Sequence, residues 1–178
     1  ELVTQTTTLA NDLGFSQMQF LNESVADSIH SSALPERVDM VTALHACNTA
    51  TDDAIRFGLA KQARFMVLVP CCQAEVAGVL RKHKAQQLKD PLAEIWRHPL
   101  HTREFGSQVT NTLRCLQLEA HGYQVTVTEL VGWEHSLKNE LIIAEHKGPP
   151  KPRTIARLQA LLERLGLQEL TERFFVPT

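Results

Sequence analysis

The sequence is short of several things, and each shortage excludes a class of protein. No apolar run reaches about eighteen residues, which excludes a membrane-spanning helix. Charge of one sign is not in excess: the formal net charge is -2, so the whole molecule is not a nonspecific binder of polyanions. Cysteine occurs four times in 178 residues, too few for a disulfide scaffold. No signal peptide is visible, and no internal repeat or low-complexity tract is seen. What is present is ordinary for one globular domain: 43% hydrophobic and 21% charged residues, enough apolar material to pack a core and too much for a disordered chain. Adjacent Cys71 and Cys72 read as reduced thiols, which points to a cytoplasmic setting.

The chain opens inside a helical pattern. Leu2, Val3, Leu9, Ala10 and Leu13 share roughly one face, and Gly14 stops it. Gln17 to Leu21 alternates like a strand, Val25 to His30 reads as a short helix, and Ser31 to Arg37 as a loop. Val38 to Leu44 predicts a buried strand and His45 to Thr49 a tight loop. Thr51 can cap a helix to Gln62, with Asp52 and Asp53 in the first turn, where the dipole favours anions. Phe65 to Val69 is apolar and of strand length, ended by Pro70. Helices follow over Glu75 to Lys84, Leu92 to Arg97 and Thr102 to His121, the last closed by Gly122. Tyr123 to Val131 and Leu141 to Ala144 are strands around the loop Gly132 to Asn139. After the Pro-rich break at Gly148 to Pro152, Thr154 to Leu165 and Leu167 to Phe175 close the chain as helices.

Strands alternating with helices imply an α/β fold with a mostly parallel sheet covered on both faces. The loop between the last two strands is too short for a parallel crossover. They are therefore expected to pair antiparallel, at one edge or with another strand slotted beside them.

Ligands in open α/β sheets sit beyond the carboxyl ends of the strands. Two such ends are rich in chemistry: Leu44-His45-Ala46-Cys47-Asn48-Thr49-Ala50-Thr51-Asp52 and Val69-Pro70-Cys71-Cys72-Gln73. If their strands are neighbours, His45, Cys47, Asn48, Asp52, Cys71 and Cys72 converge on one rim. His45 suits proton transfer near neutrality, or is a hydrogen-bonded structural imidazole. Asp52 either binds substrate or favours its helix terminus. Asn48 either accepts a hydrogen bond from an acceptor group or makes an Asx-turn. Cys115 lies on a helix with Leu113, Leu116 and Leu118 and reads as core or near-core. A zinc site from the cysteines and His45 is not expected: neighbouring cysteines rarely both ligate one tetrahedral ion, and no C-x-x-C pair occurs.

The motifs His45-Ala46-Cys47-x-Thr49-Ala50-Thr51-Asp52 and Pro70-Cys71-Cys72, followed by Glu134-His135-Ser136-x-Lys138-Asn139, resemble the methyltransferase-domain family that carries HAC-x-TATD, PCCH and an EH-T/S-x-KN segment. The resemblance covers roughly residues 1 to 146. A eukaryotic tRNA ribose methyltransferase family carries a weaker likeness. The resemblance implies a Rossmann-like, S-adenosylmethionine-dependent methyltransferase with seven strands, the last antiparallel. It places Asn22, Glu23, Ser24, Leu44 and His45 beside the cofactor. It assigns His45, Asn48 and Asp52 to catalysis, and Cys47, Pro70, Cys71, Cys72, Gln73, Lys138 and Asn139 to the substrate. The family's first strands and glycine-rich loop have no counterpart, so the chain is expected to be the later part of a longer protein. Asn48 stands where the family has Asp, and Gln73 where it has His. A methyltransferase-like binding module without activity is the alternative that these changes motivate.

Residues 1–146 form the methyltransferase part in this reading, and 147–178 a basic helical extension. Lys61, Arg64, Arg81, Lys82, Lys84, Lys89, Arg97 and Arg103, with Lys147, Lys151, Arg153, Arg157 and Arg164, could lead RNA to the rim; solvated helix faces are the commoner explanation. Lys138 and Asn139 could touch a substrate or close the hairpin, and Trp133 could stack on a planar substrate or cover the core. The acceptor is O or N, and RNA is among the acceptors the resemblance admits. The oligomeric state is not readable.

Overall fold

The computed structural model describes residues 1–71, 73–82, 94, 95, 97–132, 134, 135 and 139–174. In chain order the elements are α1 (Leu2–Asp12), α2 (Val25–Ser28), β1 (Met40–Ala46), α3 (Ala50–Ala60), β2 (Phe65–Pro70), α4 (Glu75–Lys82), α5 (Pro99–Ala120), β3 (Tyr123–Glu129), β4 (Glu140–His146), α6 (Pro152–Arg164), a 3-10 turn (Gln168–Leu170) and α7 (Thr171–Phe174).

The sheet among these residues has four strands in the order β1-β2-β4-β3. β1 and β2 pair in parallel, joined by the α3 crossover, while β4 is antiparallel to both β2 and β3. β1, β2 and β3 thus run in one direction and β4 alone runs against them, the antiparallel final hairpin that was expected, although only one of the three pairings is parallel. The short connection after β3 forces an antiparallel return, and β4 inserts between β2 and β3, so a single parallel pair remains. β3 and β4 pair directly with each other, as their short loop requires, and lie at one edge of the described sheet with β2 beside β4.

Gln17 to Leu21 is not a strand. Alternation alone does not satisfy a strand's backbone groups, and this segment lies outside the sheet, with Met18 exposed. Thr51 does not cap a helix either. It sits inside the first turn of α3, fully buried, and its hydroxyl donates to the Ala46 carbonyl at 2.7 Å. The helix instead begins at Ala50 after Thr49. β1 runs to Ala46, two residues beyond the expected end, because the pairing with β2 continues past a bulge. The expected helix over Leu92 to Arg97 lies largely outside the described residues.

Gly14 and Gly122 behave as the sequence suggests. Both take positive φ, +82° and +89°, just past their helices, where glycine carries no Cβ penalty. A side chain at Gly122 would strike the Gly148 carbonyl.

Two apolar cores lie on either side of α5. One joins α4, α5, α6 and α7 through Val76, Leu80, Leu113, Leu158, Leu162 and Phe174. The other packs α3 on the sheet through Ile55, Met66, Leu68, Leu118, Tyr123 and Ile142. The closing helices therefore share a core with α4 and α5, because Leu158 and Leu162 fall on the inward stripe of an amphipathic α6.

Candidate functional site at the tips of β1 and β2

The register of the parallel pair carries Leu44 beside Val69 and Ala46 beside Pro70. His45 is the extra residue of the bulge between them, and it adopts the left-handed conformation, φ +53°. Asn48 does the same at φ +52°. Asparagine and histidine enter this region more readily than most side chains, and such conformations gather at working loops when the surroundings hold them. Leu44, His45, Cys47 and Asn48 are all exposed. Immediately beyond the paired residues, the Cys47 and Cys71 sulfurs meet at 3.2 Å. The 45–52 and 70–73 turns therefore share one rim.

The loop is held from below. Asp52 is buried, and Arg114 of α5 grips it with two hydrogen bonds, Nε to Oδ1 at 2.7 Å and a terminal nitrogen to Oδ2 at 2.8 Å. The same guanidinium donates to the Asn48 carbonyl at 2.9 Å and to the Asn111 side-chain oxygen at 3.1 Å. Arg114 and Asp52 are 1% and 3% exposed, so this is a fully desolvated, fork-to-fork pair. It fixes the loop after β1 to a helix more than sixty positions along the chain. Asp52 thereby spends both carboxylate oxygens on Arg114.

Gln73 extends the network. Its amide lies within hydrogen-bond distance of Ser107 and Asn111, and rotated end for end it meets Arg114 as well. Asn111 in turn donates to Glu140 at 2.6 Å. One connected set of polar groups thus runs from the β1 tip through α5 to the start of β4.

Beside the rim lies a cavity of about 400 Å³ bordered by Cys71, Ser107, Asn111, Asn139 and the carboxylates Glu104, Glu129 and Glu140. Glu129 and Glu140 face each other in register across the hairpin, and Arg103 pairs with Glu104 at 3.1 Å. Asn139 is buried, and its amide donates to the Val131 carbonyl, closing the hairpin loop.

Asn22, Glu23 and Ser24 lead into α2, whose Val25 and Ser28 border a hollow with Met40 to Ala43 and Ala46 of β1. The three themselves border another hollow with residues 1–4, and none of 44–52 lines it. Ser24 caps α2, accepting from the Asp27 N–H at 3.1 Å, and Glu23 accepts from Ser31. Cys72, Lys138 and Trp133 are outside the described residues. Among those described, no three His, Cys, Asp or Glu side chains gather as metal ligands.

Sequence reasoning missed Arg114, Asn111, Ser107 and Glu140. A signal was there: Asn111 and Arg114 interrupt the apolar stripe of α5 yet are buried. Buried polar side chains of this kind require partners.

A four-strand mixed sheet with one parallel pair and a helical crossover is consistent with part of a Rossmann-like methyltransferase. Residues 1–79 match the family of the methyltransferase domain. That span holds both strand tips, while the segment Glu134 to Asn139 lies beyond it. No curated protein and no solved structure matches the chain.

Proposed function

We propose that the protein transfers a methyl group from S-adenosylmethionine to an oxygen or nitrogen atom of a small acceptor seated in the cavity beside the rim. The meeting of the 45–52 and 70–73 turns within the methyltransferase-matching span carries this reading. The cofactor supplies a methyl group already activated on a sulfonium. The chain's own contribution is positioning and exclusion of water. Exposed Leu44 would offer the cofactor an apolar wall and the outward residues His45 to Asn48 would lie next to it, which fits one side of such a cofactor.

In this proposal His45 takes the proton that the acceptor loses, and the Asn48 amide orients the acceptor. Asp52 acts through Arg114 as a positioning residue, since its oxygens are spent. Cys47, Pro70 and Cys71 form the acceptor's near wall, with Gln73 and Asn139 behind it. RNA fits this cavity less well than a small acceptor, because three carboxylates line it and like charges repel a phosphate backbone. Several basic side chains outside it are also engaged: Arg64 and Lys147 meet Glu145, Lys82 meets Glu169 and Arg157 meets Glu119.

Titration calorimetry of the full chain with S-adenosylmethionine, followed by tritium transfer to panels of small amines and phenols with bulk tRNA as comparator, tests the reading. Saturable binding is expected, with small-molecule labelling above tRNA labelling. His45→Ala should lower transfer about 10²–10⁴-fold and leave binding intact. Absence of binding at millimolar cofactor would replace the enzyme with the inactive binding module.

A further inference from the structure

We infer that Cys47 and Cys71 form a peroxide-sensitive dithiol whose oxidation ties the tips of β1 and β2 together. The two thiols are already in contact at 3.2 Å, about 1 Å more than a disulfide bond requires. Their backbone placement agrees. Ala46 pairs with Pro70 in a parallel register, so the next residues lie side by side, and neighbouring strands about 4.8 Å apart fall within the span that a disulfide bridges. The loop that carries Cys47 is anchored. The Thr51 hydroxyl holds the Ala46 carbonyl and Arg114 holds the Asn48 carbonyl, on either side of Cys47. Cys47 is exposed and reachable by a small oxidant, whereas Cys71 is half-buried behind it.

The chemistry balances with hydrogen peroxide as oxidant. The Cys47 sulfur attacks one peroxide oxygen, the O–O bond breaks, and a sulfenic acid forms with release of one water. The Cys71 sulfur then attacks the sulfenic sulfur, an S–S bond forms, and the hydroxyl leaves as a second water with the Cys71 proton. Two thiols are oxidised by two electrons, and both peroxide oxygens end as water. Cys115 offers a contrast. Burial first, then the nearby carboxylates of Glu140 and Glu119, push its thiol up to about 12, so it stays protonated and unreactive. The bridge would pin the loop that carries His45 and Asn48. The inference concerns thiol chemistry alone and stands whether or not the protein transfers methyl groups.

The experiment treats the full chain with stoichiometric hydrogen peroxide and reads intact mass and disulfide-linked peptides. Most of the protein should lose two hydrogen masses, with Cys47 linked to Cys71, and dithiothreitol should restore it. The link should vanish in both Cys47→Ser and Cys71→Ser, and Cys71→Ser should leave a sulfenic acid on Cys47 that dimedone traps. Cys72→Ser, which leaves both partners in place, should still form the bridge. A link from Cys71 to Cys72, sulfinic acid on Cys47 without a link, or unchanged mass in protein whose Cys47 is open to alkylation would each overturn the inference.

Discussion

Arg114 carries more of the site's architecture than any residue that faces solvent. It meets a carboxylate, a backbone carbonyl and a side-chain amide from inside the protein. Removing one partner of a buried pair leaves the other charged, desolvated and alone. Arg114→Leu is therefore expected to cost about 3–5 kcal/mol in urea unfolding. The double variant Arg114→Leu with Asp52→Leu should recover much of that, since two apolar side chains tolerate burial where one lone charge does not. A recovery of this kind would show that the pair positions the loop and is not needed for folding. Strain acts at the same scale. Asn48 holds φ +52°, so Asn48→Gly should keep the fold, whereas Asn48→Val places a β-branched side chain where it clashes with its own backbone.

Helix packing turns on two glycines with different neighbours. A Cβ at Gly106 in α5 would come within 2.8 Å of the Ala77 backbone nitrogen and of its Cβ, and backbone cannot rotate away. Gly106→Ala should separate α5 from α4 and destabilise by about 1–3 kcal/mol. At Gly58 in α3 the obstacle is the end of the Met66 side chain, 2.6 Å from the added atom. Methionine is unbranched and re-packs, and alanine favours a helix interior by up to about 1 kcal/mol over glycine. Gly58→Ala should accordingly change stability far less than Gly106→Ala in the same thermal or urea melts. The contrast follows from what each helix rests on: α4 presents main chain to Gly106, and β2 presents a flexible side chain to Gly58.

Across the whole molecule, alkaline stability is set by protons that the fold retains. Burial raises the Tyr123 phenol above its ordinary 10.0, and its hydroxyl donates to the Ala63 carbonyl at 2.6 Å. Burial likewise moves the Cys115 thiol from 9.0 to about 12. Both groups hold their protons more tightly in the folded state than in the unfolded chain. Their contribution is complete below the unfolded values and is lost as pH rises through the folded ones. Urea midpoints should thus fall as pH climbs from 9.0 toward about 12. Cys115→Ala should flatten the earlier part of that fall, and Tyr123→Phe the later part. A midpoint unchanged over this range would show that neither proton is coupled to folding.

The order of strands and helices was legible because apolar runs, glycine stops and prolines act locally, within a few residues of where they stand. Residues 38–44 and 65–69 announced themselves as strands by apolar content, though the first is not the buried strand expected, because β1 pairs on one side only among the described residues; Gly14 and Gly122 ended helices where a left-handed turn was needed. The rim was legible too, as two reactive turns at strand ends. Pairing was legible only for the last two strands, whose short loop makes them antiparallel; elsewhere a strand's neighbours are chosen by contacts far along the chain: Gln17 to Leu21 alternates like a strand and has no place in the sheet, and β4 slips between β2 and β3. Nor could local pattern reveal that Asp52 would be claimed by Arg114, sixty-two positions away. That choice belongs to tertiary structure, since only when α5 lies across the strand tips do the two charges leave water together and become each other's sole adequate solvent.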